Sequence, residues 1–142
     1  MSDFKAFFAE NVIAKENVKF VVSDRFKDEN GKPIEWELKI LTAREEEMIR
    51  ADCTRRIPTG GKSRGYTEKF DSQLYIKKLV SYCVVYPNLN NAELQNSYGV
   101  VSAEDLIQAM LISGEYINLM KEVMEINKLS DDFEELVDEA KN

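Results

Sequence analysis

Apolar and polar residues alternate over two stretches near the N-terminus, and apolar residues then recur at helical spacing through most of the remaining chain. Val18, Phe20, Val22 and Phe26 lie in phase on even positions, while Ile34, Trp36, Leu38 and Ile40 alternate with Glu35, Glu37 and Lys39. A period of two is that of a strand with one face covered and one wet. Between the stretches lies D-E-N-G-K-P, whose Asn30-Gly31 dipeptide suits a tight turn with positive φ at both central residues. An antiparallel hairpin is predicted, with Trp36 anchoring its covered face beside three aliphatic residues. Ahead of it, Phe4, Phe7, Phe8 and Val12 share one face of a short helix started by Ser2 or Asp3. Apolar stripes at helical spacing are usually buried, so these phenylalanines are expected to pack into the core.

The rest of the chain predicts helices with recognisable starts. Thr42 with Glu45 forms a capping box, and Glu45, Glu46 and Glu47 fill a first turn where the helix dipole favours negative charge. Arg50, Arg55 and Arg56 suit the other end of that helix. The segment P-T-G-G-K-S-R-G at 58–65 is expected to loop between this helix and the next. The next starts near Asp71 or Ser72, carries Ile76, Leu79, Val80 and Cys83 on one face with Tyr75 and Tyr82 beside it, and is stopped by Pro87. Asn90 with Glu93 can cap a short helix closed by Gly99. Ser102 with Asp105 repeats the arrangement, and Ala103, Leu106, Ile107, Met110 and Leu111 then share a face. Ser113 can cap a helix over 114–128 bearing Tyr116, Leu119, Met120, Val123, Met124 and Ile126. Ser130 can cap a last acidic helix whose apolar edge is Phe133, Leu136, Val137 and Ala140. The expected fold class is α+β, an N-terminal antiparallel β-hairpin packed on a mainly α-helical bundle of about five helices. It is read as a single domain over 1–142: helix plus hairpin at 1–41, bundle at 42–128, acidic helix at 129–142.

Composition narrows the function classes. At 142 residues, with 44% hydrophobic and 32% charged residues, the chain can bury a core without disulfides or a structural metal. No apolar run reaches the length of a membrane span, and the start M-S-D-F-K-A-F-F-A-E lacks the features of a secretion signal, so a cytoplasmic location is expected. Of the net charge of −7, five units come from 130–142, where six acidic side chains face only Lys141. An acidic chain is a poor default ligand for nucleic acid, and a basic protein partner fits better. The best argument for nucleic acid is the segment from Arg50 to Lys69, where Arg55, Arg56, Lys62 and Arg64 lie among six basic residues against Asp52 and Glu68. No nucleic-acid-binding signature surrounds them.

Candidate catalytic chemistry is sparse. The chain has no histidine, which removes histidine triads, histidine zinc sites and the usual proton shuttle. Consecutive carboxylates at 45–47 point in different directions round a helix and do not form an acid–base pair. Gly61-Lys62-Ser63 matches the end of a phosphate-binding loop, but the first glycine of that motif would fall on Arg56 and the preceding segment reads as a helix where a strand is needed. Cys53 and Cys83 have no C-x-x-C spacing and read as reduced, buried thiols. No enzyme activity, cofactor or metal is expected.

The wording P-N-L-N-N-A-E-L-Q-N-S-Y-G at 87–99, followed by A-M-L-x-x-G-E-Y at 109–116, resembles phage tail assembly chaperones of the XkdN-like kind. The similarity extends to I-E-W-E-L-K-I-L-T-A-R-E-E-E-M-I-R-A-D-C at 34–53 and to the ending E-E-L-V-D-E-A-K-N. Pro87, Leu89, Leu94, Tyr98, Gly99, Gly114, Glu115 and Tyr116 are the motif positions, with structural or binding roles. The resemblance implies a non-enzymatic helper that binds the tape measure protein while the tail tube is built around it; it leaves contact with the tail tube protein and homo-oligomerisation open. Phe133, Leu136 and Val137 are the candidate partner contact, being too narrow an edge for a core helix, with packing on the chain's own domain as the equal alternative. A structural tail subunit or a nucleic-acid adaptor built on the 50–69 basic segment are the rival functions.

Overall fold

The alternating stretches do pair in the computed structural model, which describes residues 3–60 and 65–129. Strand β1 (Val18–Phe20) runs antiparallel to β2 (Trp36–Leu38), with Val18 opposite Leu38 and Phe20 opposite Trp36 on the covered face. On the other face Lys19 lies opposite Glu37, a favourable cross-strand charge pair. Trp36 and Leu38 are 1% and 0% exposed, so the anchor role predicted for the tryptophan holds. The strands are shorter than the alternation, and the connection between them is long. Its turn uses only one of the two predicted positive-φ residues, Gly31 at +79°. The Asp28 carboxylate accepts from the Asn30 and Lys32 amides and shapes the turn instead.

Helix α1 (Ala43–Asp52) begins with the predicted capping box: the Thr42 hydroxyl accepts from the Glu45 amide and the Glu45 carboxylate accepts from the Thr42 amide. The following segment departs from expectation. Residues 54–58 are not a helix end and 58–65 is not a loop between helices: β3 (Thr54–Pro58) pairs antiparallel with β4 (Tyr66–Phe70) in a second hairpin. Arg55 and Arg56 therefore lie on a strand.

Helix α2 (Ser72–Cys83), capped by Asp71, packs against α1, α4 (Ala103–Met110) and α5 (Ser113–Ile126). Tyr75, Leu79, Val80 and Cys83 are buried along it. Pro87 does not end α2 directly, because β5 (Val84–Tyr86) intervenes and adds to β2, giving a three-stranded sheet in the order β1-β2-β5. One hydrophobic cluster joins this sheet to the helices. Five α-helices and two antiparallel sheets among the described residues make the fold α+β, as predicted.

The N-terminal segment overturns its prediction. Residues Asp3–Phe7 form a short 3-10 helix with no buried residue. Phe4, Phe7 and Phe8 are 69%, 80% and 44% exposed, and Val12 and Ile13 are exposed too. The phenylalanines pack on one another, with Phe4 and Phe8 ring centroids 5.5 Å apart, rather than on the core.

Candidate functional site

The first half of the motif builds a tight connection. Pro87 is half-buried, and Leu89 is 2% exposed within the core. The Leu89 carbonyl accepts from the Gln95 side chain at 2.9 Å, which fastens the loop to the helix after it. That helix, α3 (Ala92–Ser97), is capped by Asn91 rather than the predicted Asn90: the Asn91 carboxamide oxygen accepts from the Leu94 amide. Two adjacent asparagines offered the same chemistry, and the register of Leu94, which packs against the core, decides between them. Gly99 adopts φ +69° and closes α3 as predicted. Tyr98, at the C-cap, keeps 39% exposure. The Ser102 hydroxyl then caps α4 by accepting from the Asp105 amide.

The second half of the motif starts α5. Gly114 lies open in its first turn, and Tyr116 is half-buried against the core. Ser113 is inside the helix and does not cap it; the N-cap is Ile112, whose amide donates to the Glu115 carboxylate at 3.1 Å. The same carboxylate receives Arg25 in a fork: Nη2 to Oε1 at 2.5 Å and Nε to Oε2 at 3.2 Å. Arg25 Nη2 also donates to the Met110 carbonyl at 2.9 Å, and its guanidinium covers the Phe26 ring at 5.2 Å. Glu115 thus ties the β1–β2 connection to the α4–α5 corner. The Arg25 bond, chiefly, holds its carboxyl down at about 2. Arg25 escaped prediction because its partners are 85 and 90 positions away, with no local pattern to mark them.

The acidic cluster of α1 is also structural. Glu45 receives the Lys39 ammonium and the Tyr82 hydroxyl, and the Lys39 bond is the main cause of its carboxyl falling to about 2. Glu46 accepts from Arg50 Nε and from the Tyr75 hydroxyl, each at 2.5 Å. These contacts join the sheet, α1 and α2.

The basic segment divides among the end of α1, which carries Arg50, the strands β3 and β4, and residues outside those described. Arg55 pairs with Asp71 at 3.1 Å, and Arg56 lies opposite Glu68 with its guanidinium over the Tyr66 ring at 5.9 Å. Lys62 and Arg64 lie outside the described residues, as do Phe133, Leu136 and Val137. A strand, not the predicted helix, precedes Gly61, but another strand follows where a phosphate-binding loop needs a helix. Cys53 and Cys83 are unpaired and fully buried, and burial pushes the Cys83 thiol up to about 12. Among the described residues no group of acidic or cysteine side chains is arranged to hold a metal, and no helix is long and apolar enough to cross a membrane.

Two open grooves lie on the surface of the described residues. One, of about 370 Å³, runs between α1, α2, α3 and the start of α4, with Asp52, Lys78, Gln95 and Glu104 on its walls. The other, of about 400 Å³, is lined by Leu41, Thr42, Ala43, Glu46, Arg50, Asn127 and Leu129.

Known proteins match this arrangement along nearly its whole length. The chain is 31% identical over 142 residues to the phage-like element PBSX protein XkdN of Bacillus subtilis strain 168, covering 99% of this chain and 94% of that protein. It is equally 31% identical to YqbN of the same strain, covering 99% and 93%. The crystal structure of YqbN superposes with a TM-score of 0.76 at 23% identity, covering 90% of this chain and 98% of the other, so the fold is shared. The model of the phage XkdN-like tail assembly chaperone proteins matches residues 4–141. The chain belongs to the XkdN-like family of phage tail assembly chaperones.

Proposed function

We propose that this protein holds the tape measure protein of its phage or prophage in soluble form while the tail tube is assembled, without catalysing a reaction, and that it does so in the host cytoplasm. The observation that carries this reading is the uncovered aromatic stripe of Phe4, Phe7 and Phe8, extended by Val12 and Ile13, in a member of a tail assembly chaperone family. Contiguous exposed apolar surface marks a site of interaction. The motif residues Leu89, Leu94, Gly99 and Glu115 serve the fold, through core packing, a helix ending and the Arg25 fork. Burying three phenylalanines contributes about 5 to 9 kcal/mol before association costs, a range suited to binding that tube protein can later displace.

The test is co-expression of the full chain with the tape measure protein from the same phage. Soluble, co-purifying complex is expected, and Phe4→Ala/Phe7→Ala/Phe8→Ala should lose the complex while keeping the wild-type Tm. A tape measure protein equally soluble and unaccompanied with or without this chain would overturn the proposal. Retention of the complex by the triple variant would move the contact elsewhere.

A further inference from the structure

The N-terminal stripe is shaped before it meets anything. The Asn11 carboxamide donates to the Lys5 carbonyl at 2.9 Å, and the Phe8 amide donates to the same carbonyl at 3.2 Å, so the chain after the 3-10 helix is folded back on it. The rings pack within the segment: Phe4 meets Phe7 with centroids 6.4 Å apart, and Phe8 edge-on at 5.5 Å. Three phenylalanines are thus held in one arrangement while they stay open to water. Such a surface is covered by the apolar surface at hand, and in a solution of this protein alone that surface is a second copy.

Charge selects the geometry of the contact. Lys5 stands two positions before the Phe7-Phe8 pair, and Glu10 two positions after it. Both are exposed, and among the described residues neither makes an ion pair. A two-fold axis beside Phe7 and Phe8 gives an isologous contact in which the segments run antiparallel and each Lys5 meets the other copy's Glu10. A parallel arrangement would set lysine on lysine and glutamate on glutamate, which repel.

Area sets its strength. At about 150–250 Å² for a phenylalanine side chain, the exposed fractions of 69%, 80% and 44% leave about 400 Å² on each copy. Two copies then bury about 800 Å² through the rings, and Val12 and Ile13 carry this only toward the roughly 1,200 Å² at which stable interfaces begin. The contact is therefore weak enough to be displaced.

We propose that, without a client, two copies of this chain pair reversibly through Phe4, Phe7 and Phe8, with Lys5 of each against Glu10 of the other, and that the pairing covers the stripe until a client displaces it. The displacement rests on the client contact proposed above; the pairing does not.

Sedimentation velocity of the full chain alone, from micromolar to millimolar, should show a monomer–dimer equilibrium, and Phe4→Ala/Phe7→Ala/Phe8→Ala should stay monomeric. Lys5→Glu and Glu10→Lys should each weaken dimerisation about tenfold. An equimolar mixture of these two single variants should dimerise as well as wild type, because the mixed pair again carries two contacts of opposite charge. In a mixture of isotope-enriched and unenriched wild-type chains, a zero-length carbodiimide cross-linker should join Lys5 of one to Glu10 of the other. That link should be lost in the complex co-purified with the tape measure protein; its retention there would overturn the displacement. A chain monomeric over the whole range would overturn the pairing and leave client capture standing. Dimers that survive the triple substitution, or a mixture no better than its components, would overturn it too.

Discussion

The two hairpins of this protein share an antiparallel ladder and little else. In β1–β2 every second residue is covered, and Trp36 and Leu38 are sealed beneath the sheet. In β3–β4 five residue pairs are in register, yet the burial runs from half-buried at Thr54 and Phe70 to exposed at every position between. An isolated two-stranded ribbon is marginal in water. This one is held at its base, where the Asp71 amide donates to the Cys53 carbonyl and Phe70 meets Tyr75 with centroids 5.4 Å apart. The first hairpin is therefore part of the core, and the second is a projection anchored at one end.

Substitutions should separate the two sharply. Trp36→Ala is expected to cost about 3–5 kcal/mol, read by denaturant unfolding, because it empties the space between sheet and helices. Next in size is an acid effect on the tie between the first hairpin and α5. Glu115 has its carboxyl lowered from 4.5 to about 2, so its stabilising contribution is complete above pH 4.5 and is lost as pH falls toward 2. Glu115→Gln should lower Tm by a few degrees near neutrality and flatten the fall of Tm in acid, relative to wild type. The smallest effect belongs to the ribbon: Ile57→Ala should change stability by no more than about 0.5 kcal/mol. A cost for Ile57→Ala comparable to that of Trp36→Ala would erase the distinction between the hairpins.

The same contrast explains what the sequence could reveal. Alternation around Trp36 records one covered face, and the caps at Thr42, Asp71 and Ser102 are short-range bonds, so these elements were legible. T-R-R-I-P and Y-T-E-K-F carry no one-sided pattern because neither face of their ribbon is covered, and their pairing is decided across a gap rather than locally. Val84–Tyr86 read as the end of a helix and became a strand through contact with β2. The stripe of Phe4, Phe7 and Phe8 was visible, but spacing says only that apolar residues share a face, never what lies opposite. Family wording located Glu115 without its role, since that role depends on Arg25.

Trp36 is the only tryptophan of the chain, and it is 1% exposed, 6.1 Å from the Phe26 ring. Its emission should be that of an indole shielded from solvent, shifting to the red only when sheet and helices come apart. Capture of a partner by the N-terminal phenylalanines would pass almost unseen in this signal. The protein thus carries an optical reporter of its integrity that is insensitive to contacts made at the N-terminal phenylalanines, so unfolding and any binding there can be followed in one cuvette without being confused.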